Sequence, residues 1–409
     1  MSEIPFDIMC HILKLLPVKS LLRFRCLSKT YCSLIDSRNF INLHLFQSNY
    51  TNTNQSLITF RTSFQEVDKT YMMDLDTPGH HLVECDYPFS KSSLIPDDFW
   101  DHLKNSVIFG SCNGLIALYH PQEGMLLWNP STKKHQNVPT FWGSSDKIRS
   151  SDYLLDGFGY DSVSGDYKVI RIRTRDSERR KRSRVMIYSV KHNCSRRIEE
   201  FPYNFSRSVS NRTCGILIGS CLHWVVSDPD DSDDRLIVGF NLEDERYRVV
   251  PIPDSLKNCG NRHMELGEVE GCLSMSTDDD DGGLFIEIWV MKEYGMKESW
   301  SRIFSVHKPK LDLQDYLPSR VKPIGYSKTC NRVFMDVHGC RFWAYDLQEE
   351  GTSPVDHQSE NLRYSWNRLP FGPDNHLRRI EILGAGDFYG WDYSFIYVKS
   401  LVPVNFRAN

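Results

Sequence analysis

The chain has 409 residues, 40% of them hydrophobic and 12% aromatic, with a formal net charge of −4. That length permits a small module plus one large domain, or two ordinary domains, with a sizeable core. A slightly acidic balance argues against a general nucleic-acid binder, which is basic as a whole, and no apolar run approaches the roughly 18 residues that span a bilayer.

Ile4 to Leu45 reads IPFDIMCHILKLLPVKSLLRFRCLSKTYCSLIDSRNFINLHL, with its apolar residues at helical spacing. Glu3 and Asp7 sit inside this apolar start and no basic segment precedes it, so it does not read as a signal peptide. Pro5 suits a first helical turn, where its missing N–H costs nothing. Ile8, Ile12 and Leu15/Leu16 follow on one face, with Met9 and Leu13 alongside. Pro17 ends that helix at or before Leu16. A second helix carries Val18, Leu21 and Leu22; a third carries Tyr31, Leu34 and Ile35, and the chain runs on through Phe40 and Ile41. Three short helices bury little surface by themselves, and here apolar residues lie on more than one face of each. Spacing leaves two readings open: the helices pack onto the rest of the chain, or they form an interface with a partner.

The run Ile4-Pro5, Ile12-Leu13 and Leu16-Pro17-Val18-Lys19-Ser20-Leu21-Leu22-Arg23-Phe24-Arg25-Cys26-Leu27-Ser28-Lys29 resembles the F-box. The resemblance implies a three-helix module over residues 1–45 that docks on the Skp adaptor of SCF ubiquitin ligases and, through it, on cullin. It implies that Pro5, Ile12, Leu13, Leu16, Pro17, Leu21, Leu22 and Leu27 contribute to that contact. Ile4, Leu27, Tyr31 and Arg38 stand where the family commonly has Leu, Val, Trp and Pro; all but Arg38 keep apolar bulk.

Residues 46–56, including the Asn-, Thr- and Ser-rich QSNYTNTNQS, read as a linker or exposed loop. From Leu57 on, short β-type runs replace helical spacing, punctuated by Gly, Pro, Asn and Asp. A loose unit recurs from Gly114, Gly165, Gly219, Gly271 and Asn331. Each begins with an apolar strand, continues through a strand ending in an aromatic and Asn or Asp, and closes after a polar turn. Residues 57–89 look like a degenerate first copy, and the tail EILGAGDFYGWDYSFIYVKSLVPV could supply closing strands. The starts fall at a spacing close to the ~50 residues of kelch units, which predicts propeller blades. Six units are visible; seven result if residues 57–89 and the tail belong to separate blades. The expected fold is mainly β with a small α head: three helices, then a propeller of about six or seven blades over residues 57–409.

GSCNGLI (110–116), WNPST (128–132), GFGYDSVSGDYKVIRI (157–172), FNLEDERYRVVPIP (240–253) and EIWVMKEYGMKESWSRI (287–303) are similar to the plant F-box-associated domain. INLHL and EIWVMKEYG also resemble S-locus F-box proteins, and the same pieces occur in F-box proteins of immune-receptor turnover.

Residues that could carry chemistry do not assemble into a site. GSCNG puts Cys112 where a nucleophile elbow needs Ser, and its Asn-Gly reads as a turn before a strand. His80-His81 is a lone pair in a polar stretch, short of the three or four ligands a metal needs. GAGDFYG (384–390) lacks the order of a dinucleotide fingerprint. The 12 cysteines are scattered singly without a CxxC pair, which fits reduced thiols in cytosol or nucleus and no zinc cluster. No catalytic residue, metal or cofactor is expected.

Three charged segments remain. A basic run holds Arg171, Arg173, Arg175, Arg179, Arg180, Lys181, Arg182 and Arg184; acidic runs hold Asp230, Asp231, Asp233 and Asp234, and Asp278, Asp279, Asp280 and Asp281. All three read as loops between strands at a propeller rim. They are solvated hairpin tips or, through Arg179, Arg180, Arg182, Asp230, Asp231, Asp279 and Asp280, a surface for a target protein. The functional expectation is a non-catalytic substrate receptor of an SCF-type ligase in cytoplasm or nucleus, with an unknown protein target and neither nucleic acid nor membrane as partner. Alternatives are an S-locus pollen factor recognising S-RNases within such a ligase, and a propeller scaffold or sugar-binding protein outside one.

Overall fold

The computed structural model describes residues 5–61, 69–75, 83–86, 88, 107–120, 124–138, 152–175, 182–205, 212–228, 235–256, 263–278, 284–311, 320–337, 341–347, 377–380 and 393–404. The chain opens with four helices: α1 (Phe6–Leu13), α2 (Val18–Phe24), α3 (Lys29–Ile35) and α4 (Arg38–Thr51). Pro5 and Pro17 precede α1 and α2 in extended conformation, while Ser28 and Ser37 cap α3 and α4 by accepting the N–H of Tyr31 and Phe40, both at 3.2 Å. The fourth helix corrects the sequence reading. Residues 47–51, expected as linker, form its last turn, and strand begins already at Gln55. Polar composition hid this turn because α4 buries His44 and Ser48 beside Phe40, on one face at i, i+4 and i+8.

Strands follow in six groups. Blade 1 takes β1 (Gln55–Arg61), β2 (Lys69–Asp74) and β3 (Val83–Cys85); blade 2 takes β4 (Val107–Cys112), β5 (Leu115–His120), β6 (Gly124–Asn129) and β7 (Lys134–Val138). Blade 3 takes β8 (Asp152–Asp161), β9 (Asp166–Arg175), β10 (Arg182–Ser189), β11 (Cys194–Ile198) and β12 (Arg212–Cys214), the last pairing parallel to β8 on its inner edge. Blade 4 takes β13 (Ile216–Ile218), β14 (Cys221–Ser227), β15 (Arg235–Asn241) and β16 (Tyr247–Val250); blade 5 takes β17 (His263–Val269), β18 (Cys272–Asp278), β19 (Phe285–Met291) and β20 (Trp300–His307). Blade 6 takes β21 (Val321–Ser327), β22 (Arg332–Val337), β23 (Arg341–Asp346) and β24 (Leu377–Ile380). Finally β25 (Tyr393–Val398) pairs antiparallel with β1 and completes blade 1, in the order β25-β1-β2-β3. The ring is therefore a six-bladed propeller. The seven-blade alternative fails because residues from 57 onward and the C-terminal strand share one sheet.

The middle strands of the blades are largely buried on both faces, which is why they read as continuous apolar runs rather than alternating ones, while outer strands such as β7 and β11 are mostly exposed. In β5 and β6, Ile116, Leu118, Leu126 and Trp128 pack toward Ile58 and Phe60 of blade 1. Leu115, Ala117, Met125 and Leu127, one residue out of step, pack toward Phe158, Tyr167 and Val169 of blade 3. The other interfaces are built alike: Leu222 and Trp224 meet Ile170 and Ile172, Met264 and Met275 meet Val225 and Ile237, Val321 and Met335 meet Ile286 and Ile288, and Phe334 and Phe342 meet Leu57 and Met73.

The recurring unit is real but its frame is displaced by one strand. Gly114, Gly165, Gly219, Gly271 and Asn331, which mark the unit starts, occupy the tight turn between first and second strands, with φ of 78°, 66°, 58°, 76° and 50°. Left-handed backbone at that point favours Gly or Asn. Blade 1 has no such turn; the chain enters it from α4 and leaves it after β25 at the same corner.

Blades 4 and 5 are also tied by a buried imidazole. His223 donates from Nδ1 to the Ile216 carbonyl at 3.0 Å and accepts at Nε2 from the Tyr294 hydroxyl at 2.6 Å. Burial lowers its pKa from 6.5 to about 4. The unfolded chain therefore takes up this proton first, so stability should be whole above pH 6.5 and fall as pH drops toward 4, by on the order of 3 kcal/mol from this group. Urea midpoints measured across that window should fall for wild type and stay flatter for His223→Gln.

Candidate functional site: an exposed apolar head and the propeller end opposite it

The head has a small interior and an unusually apolar exterior. Leu13, Val18, Leu21, Ile35 and Phe40 form the interior, while Arg25 and Asp36 brace α2 against α3 at 2.7 Å. Outside, Ile12 is 48% exposed, Leu15 57% and Leu27 66%, and Phe6 and Ile8 are also exposed. Apolar side chains gathered on one small module mark a contact surface. Of the residues expected at the adaptor contact, Pro5, Ile12, Pro17 and Leu27 are exposed, and Leu16 and Leu22 half-buried. Leu13 and Leu21 are corrected: at 3% and 0% exposure they hold the helices together and present no surface to a partner. Phe6, Ile8 and Leu15 were missing from the expected set. Spacing put Ile8 and Leu15 on an apolar face, but which face stays open is decided by what packs behind.

What packs behind is the C-terminal segment. After β25, Leu401 enters the head's interior, and Val402 and Val404 join the cluster between blades 2 and 3, where Ile41 and Leu45 of α4 also pack. Asn129, fully buried, donates from Nδ2 to the carbonyls of Ser400 and Val402 at 3.1 and 2.8 Å and accepts from the Tyr397 hydroxyl at 3.0 Å. Ser400 donates to the Asn113 carbonyl at 2.8 Å. A Cβ on Gly114 would lie 2.1 Å from Ser400 Oγ, so the tail's close approach requires glycine there. Within the head, His44 Nε2 donates to the Leu16 carbonyl at 2.9 Å, and burial lowers the ring's pKa.

These contacts fix the head's side. Asn113 and Asn129 lie at the turns after β4 and β6, so the head sits at the end of the propeller that carries first-to-second and third-to-fourth turns. The three charged segments join second to third strands, β9 to β10, β14 to β15 and β18 to β19, in three consecutive blades. The strand ends that carry them lie at the opposite end, about 20 Å away for six-residue strands.

Arg179, Arg180, Asp230, Asp231, Asp279 and Asp280 lie outside the described residues, as do His80, His81 and the 384–390 segment; Arg182 is the first residue of β10. The start of the basic run is corrected. Arg171 and Arg173 belong to β9 and are buried, not looped out. Arg171 Nη2 donates to Asp156 Oδ2 at 2.8 Å, its Nε donates to the other carboxylate oxygen, and its guanidinium lies 4.6 Å from the Phe109 ring. Arg173 Nε donates to Asp152 at 2.9 Å. Both pairs bridge β8 and β9 inside the propeller. Cys112 is buried, its thiol pushed up to about 12, and GSCNG is strand then turn, as its Asn-Gly indicated. Among the described residues, no three His, Cys, Asp or Glu side chains converge to hold a metal, and no helix is long and apolar enough to cross a membrane.

Comparison with known proteins agrees with this division. Residues 1–43 match the family described as F-box domain, and residues 53–358 match the F-box associated beta propeller domain. F-box protein CPR1 of Arabidopsis thaliana is 31% identical over 372 residues, covering 87% of this chain and 84% of the relative. F-box/kelch-repeat protein At3g23880 of the same plant is 28% identical over 314 residues, covering 74% of this chain and 79% of the relative. Among solved structures, TolB from Acinetobacter baumannii aligns with a TM-score of 0.38 at 9% identity, over 76% of this chain and 67% of that one.

Removing one partner of a buried pair leaves the other charge stranded. Arg171→Met should therefore cost about 3–5 kcal/mol in urea unfolding, and Arg171→Met with Asp156→Leu should cost less than the single change.

Proposed function

The chain belongs to the plant F-box proteins that carry an F-box-associated β-propeller, and from that premise we propose that it is the substrate-recognition subunit of an SCF-type ubiquitin ligase. The head docks its exposed apolar side chains on the Skp adaptor, and cullin joins through the adaptor. Pro5, Ile12, Leu15, Pro17 and Leu27 supply surface for that contact, while Leu13 and Leu21 keep the helices in register. The propeller end away from the head receives a target protein, with the charged segments around Arg179, Arg180, Arg182, Asp230, Asp231, Asp279 and Asp280 as its recognition elements.

The receptor contributes proximity. Holding target and ubiquitin-loaded enzyme in one assembly turns a bimolecular encounter into an effectively unimolecular one. No bond is made or broken by this chain's own side chains in that scheme. Ten cysteines among the described residues are all unpaired, which suits a reducing compartment, cytosol or nucleus.

The observation that carries the reading is a helical head whose interior is already filled, by Leu401 among others, while Ile12, Leu15 and Leu27 remain exposed. Burying a side chain of that size against a partner contributes about 1.5–3 kcal/mol each. Ile12→Asp with Leu15→Asp should reduce recovery of Skp adaptor and cullin at least tenfold in co-precipitation while the thermal melt of the propeller is unchanged. Leu21→Asp should instead lower the melt, because it puts a charge in the head's interior. Undiminished recovery of both partners with the Ile12/Leu15 pair would contradict the receptor reading.

A further inference from the structure

Phe46 and Tyr50 lie on α4, past the F-box and before the propeller. Phe46 is 68% exposed, Tyr50 77%, and Leu43 on the same helix 39%. The two aromatic rings stack, with centroids 6.2 Å apart and planes 10° from parallel. An i, i+4 aromatic pair supports a helix, yet this stack leaves both rings mostly in water. Past Arg38, α4 carries no Asp, Glu, Lys or Arg, and its other exposed positions are Asn39, Asn42 and Asn49. Solvent faces of helices carry charged and polar side chains. An aromatic stripe beside a neutral polar rim has instead the make-up of a protein contact, where charge is depleted and Tyr and Phe are enriched.

The other faces of α4 are taken. Phe40 and His44 are buried, and Phe40 joins Leu13, Leu21 and Leu401 in the head's interior. Ile41 and Leu45 lie about 100° round one flank from that pair, at 3.6 residues per turn, and pack against the cluster between blades 2 and 3. Leu43 lies about 80° round the other flank, with Phe46 and Tyr50 beyond it. The stripe therefore borders the head's interior on the flank turned away from the propeller. The hydrogen bond from His44 Nε2 to the Leu16 carbonyl, at 2.9 Å, sets α4 against the end of α1. Leu43 precedes His44 and Leu15 precedes Leu16, so two exposed leucines adjoin that bond, one on each helix.

We infer that Leu43, Phe46 and Tyr50 form a second contact for the Skp adaptor, continuous with the one on α1. An adaptor seated on Ile12 and Leu15 reaches past Leu16 onto Leu43 and then onto the aromatic pair. The stripe asks for an apolar, uncharged surface on that partner. One partner lying across both patches accounts for the exposed apolar side chains of α1 and α4 together. A second copy of this chain, meeting stripe with stripe, accounts for those of α4 alone. The target protein belongs to the opposite end of the propeller in the receptor reading. The second contact deepens that reading and rests on it.

The test uses the full chain and purified Skp adaptor. Trifluoromethyl-phenylalanine in place of Phe46 supplies a single 19F signal. Adding adaptor should shift that signal saturably and reduce its relaxation by a water-soluble paramagnetic additive at least threefold. Raising the chain's concentration without adaptor should leave the signal where it was. Phe46→Ser with Tyr50→Ser should weaken adaptor binding at least tenfold by calorimetry, with the thermal melt of the propeller unchanged. The fluorine signal keeps the test decisive should that double variant fail to fold, because it keeps an aromatic ring at the site. Three results would overturn the contact: an unmoved fluorine signal in chain that has bound adaptor; a signal that moves with chain concentration alone, which makes the stripe an interface between two copies; or full adaptor affinity in the folded double variant. Wild type that binds no adaptor would remove the receptor reading and this contact with it. Adaptor binding that leaves the stripe untouched would remove this contact and leave the receptor reading standing.

Discussion

The two ends of this chain meet at one corner, and the rest of the structure depends on that meeting. β25 pairs with β1 from Gln55 opposite Val398 to Phe60 opposite Tyr393, which closes the ring. The backbone N–H of Lys399 then donates to the Asn54 carbonyl at 2.7 Å, directly beneath the end of α4. From there the tail turns under the helices, where Leu401 fills their interior and Asn129 holds the backbone on either side of it. One short segment therefore closes the propeller, completes the core of the head and fixes the head's side. Small helical modules bury too little to be rigid alone, and here the missing apolar mass comes from the far end of the sequence.

This geometry separates two tasks. The exposed leucines and isoleucines of the head point outward at one end of the ring. The strand ends that carry the charged connections lie at the other. A receptor that holds a catalytic assembly and a client at once needs such a division, since proximity helps only when both partners fit without clashing.

Much of this was legible in the sequence, and the gaps have physical causes. The repeat was visible because left-handed turns demand Gly or Asn, and these recur at Gly114, Gly165, Gly219, Gly271 and Asn331. The same feature displaced the frame, since the turn follows a first strand whose own sequence carries no marker. Blade 1 read only as a degenerate copy with possible closing strands in the tail, because β25 and β1 come from opposite ends of the sequence and no turn joins that pair. The last turn of α4 looked like linker because its buried face uses His44 and Ser48. Arg171 and Arg173 looked solvated because their partners, Asp156 and Asp152, are supplied by the preceding strand, and cross-strand pairing leaves no periodic trace. In the head, apolar residues on several faces announced a partner without telling Leu13 and Leu21 from Ile12 and Leu15. That distinction waited on Leu401, more than 350 residues away in the sequence.

The central claim is that the tail makes head and propeller one body. Pulsed electron spin resonance between a label at exposed Cys26 in the head and one at exposed Cys194 in β11 measures it directly, with the other reactive cysteines replaced by serine. The full chain should give a single narrow distance distribution, and a chain ending at Val398 should give a broad one. Equal breadth in both would mean that the segment after β25 does not hold the head, and the account would have to be abandoned.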